Sequence, residues 1–184
     1  MIASTAVTWY VARAGGLLAF ALLTATTCLG LTLSGHAKLR YWPRFAVEDV
    51  HRFAGLLTGT FVVIHGGALL LDGFVPISLS DLLVPGTAPY RPFATAAGVV
   101  AAELLAALAL TNHYKARLSY RFWRRAHYLN FAVWILALVH GITSGTDSGT
   151  PWAIALYLTS LGAVAGLTGW RALRPPARTA ARAA

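Results

Sequence analysis

Charged residues are scarce in this chain. They make up 11% of its 184 residues, against roughly a quarter in a soluble domain of ordinary composition. Hydrophobic residues make up 57%, and the mean hydropathy is +0.62. This composition excludes a water-soluble globular enzyme. Cysteine is nearly absent as well, and because Cys28 stands alone the chain can form neither an intrachain disulfide nor a multi-cysteine metal or iron–sulfur site.

Five apolar stretches can cross a membrane, at about 20 residues per crossing. They cover 10–33, 53–71, 93–111, 129–143 and 151–170. We expect the second helix to begin earlier, near Pro43, which suits a first helical position, and the fourth near Ser119, which suits an N-cap. The sequence therefore predicts an all-α membrane protein with five transmembrane helices. We assign 1–174 to one transmembrane domain and 175–184 to a disordered cytoplasmic tail, and we expect no cleaved signal peptide.

Basic residues outnumber acidic ones by 15 to 6, which gives a formal net charge of +9. In a soluble protein such an excess suggests a nucleic-acid partner, but in a membrane protein its placement indicates orientation. We therefore expect lipid and no nucleic acid as partner. Thirteen of the 15 basic residues lie between spans one and two, between spans three and four, or after span five. The positive-inside rule then places the N-terminus outside and the C-terminus in the cytoplasm of a bacterial-type inner membrane. Spans two and four run parallel.

Each of these two parallel spans carries two histidines. His51 and His65 are 14 residues apart, and His127 and His140 are 13 apart. Residues so spaced lie roughly 20 Å apart along a helix, so two histidines of one helix cannot share a metal ion. No pair has the i, i+4 spacing of a helical zinc site.

Across the two helices, His51 and His127 share one depth near the cytoplasmic face, and His65 and His140 share another near the outer face. The pattern predicts two b-type haems, each held by one axial histidine from each helix. Histidines that merely pack through hydrogen bonds are the alternative.

The spacing on the fourth span raises a geometric difficulty. Fourteen residues return a straight helix to within about 40° of the same face, whereas thirteen leave it roughly 140° away. The fourth span therefore requires a tilt, a π-bulge or ligand side chains that reach around the helix.

With these histidines, the chain resembles the ferric-reductase-like transmembrane family, which is shared by ferric reductases and NADPH oxidases. The segment 11–15 (Val-Ala-Arg-Ala-Gly) is similar to an oxidase segment in which an arginine neighbours the haems. The resemblance covers about 8–170 and implies a dihaem bundle that carries electrons across the membrane. Family oxidases continue into a flavin- and NADPH-binding domain, but this chain has no Gly-rich nucleotide loop. It looks more like a free-standing bacterial haem subunit, such as the membrane partner of a periplasmic methionine sulfoxide reductase.

The expected function is electron transfer by a dihaem membrane cytochrome, an oxidoreductase component without its own catalytic acid, base or nucleophile. A cytoplasmic flavoprotein reductase or a quinol would donate electrons, so a flavin or quinone enters only through a partner. A ferric chelate, oxygen or a periplasmic redox partner would accept them at the outer face. One alternative is a cytochrome b anchor subunit of a quinone-linked respiratory or methionine-sulfoxide-reductase complex. A second is a haem-free transporter, although the intramembrane carboxylate clusters expected of one are missing.

Further cofactor-binding candidates are Arg13, Trp134, Arg52 and Arg124. Arg13 is expected to bind an outer-haem propionate, as the resemblance implies, or to pair with Glu103, the only other charge well inside a span. Trp134 is expected between the haem layers, and the two other arginines near the inner-haem propionates or as topology determinants.

Several other residues carry weaker expectations. His36 and His113 suit interfacial packing, with a quinone or electron-donor contact as the alternative. Glycines near the histidines, which would let a macrocycle approach the backbone or simply permit helix packing, are Gly55, Gly66 and Gly141. The long connection over 72–92 is expected to cap the outer haem through Leu82 and Leu83.

Overall fold

The protein is all-α over the part that the structure, a computed structural model, describes, namely residues 2–35 and 41–173. Its helices are α1 (Ile2–Ser34), α2 (Arg44–Leu70), α3 (Leu79–Leu83), α4 (Pro92–His113), α5 (Tyr120–His127), α6 (Asn130–Ser144) and α7 (Pro151–Ala172). Five candidate membrane spans are formed by α1, α2, α4, the α5–α6 unit and α7. The expected five-span helical architecture is confirmed. The expected tail at 175–184 and His36 lie outside the described residues.

Two helices begin before their apolar stretches, as expected. α2 begins at Arg44, one residue later than the sequence suggested, and Pro43 is its N-cap residue rather than its first helical residue. α5 begins after Ser119, whose hydroxyl oxygen accepts a hydrogen bond from the Phe122 N–H at 3.3 Å. This bond satisfies one of the free N–H groups at the start of the helix.

The fourth span is interrupted between α5 and α6. Here the N–H groups of Tyr128, Leu129 and Phe131 each donate to the carbonyl three residues earlier. A chain wound in this way turns by about 120° per residue, against about 100° in an α-helix. The extra rotation helps to bring His127 and His140 to one side of the span. This interruption differs from the three arrangements expected from the sequence, which were a tilt, a π-bulge and side chains that reach around the helix.

Helix α1 occupies the centre of the bundle. It packs along α2 on one side and against α6 and α7 on the other, while α4 packs along α6. The buried apolar core comes from α1, α4, α6 and α7, and its members are Phe20, Leu23, Leu31, Ala101, Leu108, Val133, Trp134, Ala153, Tyr157 and Val164. α2 contributes no residue to this core. Instead, residues of α2 and α6 line a cavity between the two helices.

The outer surfaces of the helices are apolar too. Large side chains such as Phe53, Leu56 and Val63 are exposed along α2. A helix that is hydrophobic on all sides is typical of a membrane span, where lipid covers what the protein does not.

Candidate functional site

The structure brings the four histidines together as two pairs. The ring centroids of His51 and His127 are 6.1 Å apart, and those of His65 and His140 are also 6.1 Å apart. Both pairings require the second and fourth spans to run in the same direction, as the sequence analysis expected. A metal–nitrogen bond of about 2 Å on each side of one ion places two imidazole centroids about 6 Å apart. Each pair therefore has the spacing of two axial ligands on a single metal. We call His51 and His127 the first pair, and His65 and His140 the second pair.

Three of the four imidazoles are anchored in the same way. The Nδ1 atom lies within hydrogen-bond distance of a backbone carbonyl on a neighbouring helix: His51 to Thr26 at 3.0 Å, His65 to Ala12 at 2.7 Å and His140 to Ala94 at 2.8 Å. A carbonyl can only accept, so Nδ1 carries the proton. The lone pair is then on Nε2, the form in which a histidine can bind a metal.

Each of these carbonyls lies four residues before a glycine. A Cβ added at Gly16 would lie 3.0 Å from His65 Nδ1, one at Gly30 would lie 3.3 Å from His51 Cε1, and one at Gly98 would lie 2.6 Å from His140 Nδ1. The glycines are therefore gaps in the helix surface that the imidazoles occupy. On α1, Gly16 and Gly30 are 14 residues apart, which matches the separation of His51 and His65 on α2.

Three other glycines were expected from the sequence to lie near the bound macrocycle. An added Cβ would meet Thr26 at Gly55, Leu82 at Gly66 and Tyr157 at Gly141, so these three face other partners than the paired histidines. Gly66 and Gly141 nevertheless line the cavity around the second pair, so the expected role of these glycines toward a macrocycle stays a prediction. The glycines that seat the imidazoles lie on adjacent spans, and the 14-residue spacing of Gly16 and Gly30 is the signal that would have found two of them.

His127 is the exception among the four histidines. Its Nδ1 is buried and has no hydrogen-bond partner among the described residues. The ring instead stacks on Trp123, with centroids 5.2 Å apart and an interplanar angle of 21°.

A cavity of about 440 Å³ surrounds the second pair. Thr58 on α2 and Val133 on α6 line it, and both are 1% exposed. Each lies midway between the two histidines of its own span. Phe20 of α1 lines the same cavity. The Thr58 hydroxyl donates to the Ala54 carbonyl of its own helix at 2.8 Å, so its hydrogen-bonding need is met within α2.

The connection between α2 and α4 covers this cavity. Its lining residues are Val75, Ile77, Leu79, Leu82 and Leu83. The hydroxyl of Tyr90 donates to the Ser144 carbonyl at 3.3 Å, and the Arg91 guanidinium donates to the Thr143 carbonyl at 2.5 Å. These bonds tie the connection to the end of α6. The position of the connection agrees with the expected cap.

Within the connection, α3 begins with a capping box formed by Ser78 and Asp81. Hydrogen bonds from the side chain and the backbone N–H of Ser78 hold the pKa of Asp81 below its ordinary value. A carboxylate whose pKa is lowered on folding stabilises the fold above its unfolded-state pKa and loses that contribution as the pH falls through the folded-state pKa. The box is therefore intact at neutral pH.

Arg13 lines the cavity of the second pair, and it forms an ion pair with Asp147 in the α6–α7 turn. The expected alternative, a pair between Arg13 and Glu103, is wrong. Glu103 is exposed halfway along α4, whereas Arg13 and Asp147 meet at the end of the bundle that holds the second pair.

The remaining candidates have other contacts. Trp134 is 4% exposed within the core, donates its Nε1–H to the Thr24 hydroxyl at 3.0 Å and stacks on Phe20. Among the exposed residues, Arg52 pairs with Glu48 at 2.8 Å, Arg124 reaches the Tyr128 hydroxyl at 3.5 Å, and His113 lies edge-on to Tyr114. The expected roles of Trp134, Arg52 and Arg124 toward haem, and of His113 toward a quinone or electron donor, stay predictions.

A family model for the ferric reductase like transmembrane component matches residues 15–138, well over half of the chain. The chain belongs to this family. The matched region contains His51, His65 and His127 and ends two residues before His140. Comparisons with curated proteins and with solved structures found no match. As a ferric-reductase-like transmembrane component, the protein is an electron-transfer component of a membrane, and domains of this family generally bind haem.

The glycine gaps generate a stability prediction. Gly98→Ala places a methyl group 2.6 Å from His140 Nδ1, so the ring must move away from the Ala94 carbonyl, at a cost of about 1–3 kcal/mol for overpacking. We expect a lower thermal unfolding midpoint in detergent. The matched control is Gly162→Ala on α7, where an added Cβ meets nothing within 4 Å. A Gly98→Ala protein as stable as this control would show that the gap is not required.

The cap generates a second prediction, which concerns the access of water. In a Cys28→Ser, Gly66→Cys chain, the new thiol would lie against Leu82, whose Cδ1 is 3.6 Å from a Cβ at this position. We expect Leu82→Ser to speed labelling of that thiol by a water-soluble maleimide several-fold. The control is Val84→Ser, at an exposed position that does not line the cavity. Equal labelling rates in the two variants would contradict a capping role.

Proposed function

We propose that the protein is a dihaem b-type cytochrome that carries electrons across the membrane between the levels of the two histidine pairs. The observation that carries this proposal is the matched 6.1 Å separation of two pairs that lie toward opposite ends of the same two spans, α2 and the α5–α6 unit. Along α2 the ligands of the two sites are about 21 Å apart, which is most of the apolar thickness of a bilayer.

The set of donor atoms supports haem over a bare metal ion. Over the described residues, no cluster of three or more histidine, cysteine, aspartate or glutamate side chains could hold a metal. Each pair thus supplies two ligands on opposite sides of one ion. A macrocycle that provides the equatorial ligands fits such a set, with the glycine gaps at Gly16, Gly30 and Gly98 seating the imidazoles.

Bound haem supplies one-electron chemistry, since its iron alternates between the ferric and ferrous states. The chain's own residues prepare the site for that chemistry. Carbonyls of α1 and α4 hold three Nδ1 protons and thereby orient Nε2. Thr58, Val133 and Phe20 are buried side chains that line the cavity and give it a wall with little access to solvent. His65 and His140 would together hold one haem iron and occupy its free positions, so an outer acceptor would have to react without binding to that iron.

The direction of transfer rests on charge. Under the orientation that the basic residues predict, the first pair lies near the cytoplasm and the second near the outer face of a bacterial-type inner membrane. A cytoplasmic flavoprotein reductase or a quinol would then donate electrons at the first pair. A ferric chelate, oxygen or a periplasmic redox partner would accept them at the second. Arg13 lies beside the second pair, and we assign it to a haem propionate there. The propionate would replace Asp147 as the ion-pair partner of Arg13.

Haem stoichiometry tests this proposal. The detergent-purified protein should contain two b haems per chain by pyridine haemochrome assay, and the His51→Ala, His127→Ala double variant should contain one, since the second pair is intact. His113→Ala, at an exposed histidine outside both pairs, is the matched control and should keep two. Protein made with ample haem but containing none would refute the proposal. Retention of both haems in the double variant would refute the ligand assignment.

Orientation can be tested independently of haem. In a Cys28→Ser chain, we introduce Gly149→Cys in the α6–α7 turn or Ala116→Cys beside α5, both at exposed positions. A membrane-impermeant maleimide added to spheroplasts should label the first variant directly and the second only after permeabilisation. The reverse pattern would invert the proposed direction of electron flow.

A further inference from the structure

The first pair is held differently from the second. Both imidazoles of the second pair bond to backbone carbonyls, but in the first pair only His51 does so. His127 has a buried Nδ1 without a partner among the residues described. Such a group is uncommon in a folded protein, where buried polar atoms nearly always find hydrogen bonds. Something other than a carbonyl must therefore set the orientation of this ring.

Trp123 lies one helical turn before His127 on α5, so the two side chains meet on one face. Their rings are near parallel, at 21° and 5.2 Å between centroids. The indole is itself fixed, because its Nε1–H donates to Asn112 Oδ1 on α4 at 2.8 Å. The Lys115 ammonium lies 4.1 Å from the indole centroid, a cation–π contact that further restricts the ring.

Asn112 lies where the glycine spacing seen on α1 would place a second gap on α4. Glycine gaps on α1 recur after 14 residues, at Gly16 and Gly30. On α4 the residue 14 positions after Gly98 is Asn112. A side chain therefore stands where a second gap would be, and it binds Trp123 instead of leaving room for an imidazole.

We propose that Trp123, held by Asn112, positions the His127 ring for axial ligation in place of a backbone carbonyl. The inference rests on the proposed dihaem function and deepens it. Trp123 is a positioning residue, since it acts through His127. The stack limits rotation of the imidazole about its bond to Cβ and so fixes its plane relative to that of His51, although it provides no acceptor for Nδ1.

Electron paramagnetic resonance of the ferric holoprotein tests this role, because the g values of a bis-histidine haem depend on the angle between the two imidazole planes. The signal of the first site is the one that persists in a His65→Ala, His140→Ala chain. We expect Trp123→Leu to shift this signal, leave the other unchanged and weaken haem retention at the first site by about 10- to 100-fold, as is typical when a group that orients a ligand is lost.

Two further variants separate stacking from general damage. Trp123→Phe keeps an aromatic face and should restore the first-site signal, whereas Asn112→Ala frees the indole and should shift the signal in the same direction as Trp123→Leu. If Trp123→Leu does not fold, Asn112→Ala decides the question with the same measurement. The control is Trp42→Leu, at a tryptophan that is 53% exposed and outside the helices, and it should change nothing.

The outcomes distinguish this inference from the proposed function. A wild-type protein without haem overturns both. A wild-type protein with two haems, whose first-site signal and haem retention are unchanged in Trp123→Leu, overturns only the positioning role. Equal shifts of both signals also overturn it, since they would show a general disturbance of the bundle.

Discussion

The hydrogen bond from an imidazole Nδ1 to a helix carbonyl is the constraint on which the site depends. In a regular helix such a carbonyl already accepts the N–H four residues later, and the Cβ of that later residue stands beside it. At Gly16, Gly30 and Gly98 this Cβ is missing, which leaves room for an imidazole to approach as a second donor. One feature of the sequence thus has three consequences. It allows close helix contact, it fixes the tautomer of the histidine, and it leaves Nε2 free for a metal.

Much of the architecture could be predicted from the sequence, because it follows from hydropathy and charge. Five apolar stretches gave the spans, and the distribution of basic residues made the second and fourth parallel, so that the histidine spacings implied pairs. The interruption after His127 could not be predicted, since neither glycine nor proline marks Tyr128 and Leu129. The Arg13 partner was missed for another reason. Asp147 lies in a turn, and hydropathy carries no information on which turn meets which helix end.

The level of Trp134 along its helix could be predicted from the sequence, but the direction of its side chain could not. Its distance from His127 and His140 along the chain predicts a level between the two pairs, because rise per residue is nearly constant. The direction of its side chain was not available, since that depends on which neighbour each face packs against. The indole points into the core, toward Thr24 and Phe20, and the smaller side chains of Thr58 and Val133 line the cavity instead. Depth is a local property of sequence, whereas direction is a property of the assembled bundle.

The two sites differ in ways that act on a bound haem in opposite directions. A hydrogen bond to Nδ1–H makes an imidazole a stronger donor and favours ferric iron, and the second pair has two such bonds where the first has one. This difference alone would make transfer from the first site to the second unfavourable. Burial opposes it, because an apolar surrounding disfavours the additional positive charge of ferric iron. The second pair lies under the connection between α2 and α4, within the lined cavity. With haem at both sites as proposed, the cap over the second pair and the missing carbonyl at His127 would alter the driving force between the sites in opposite directions.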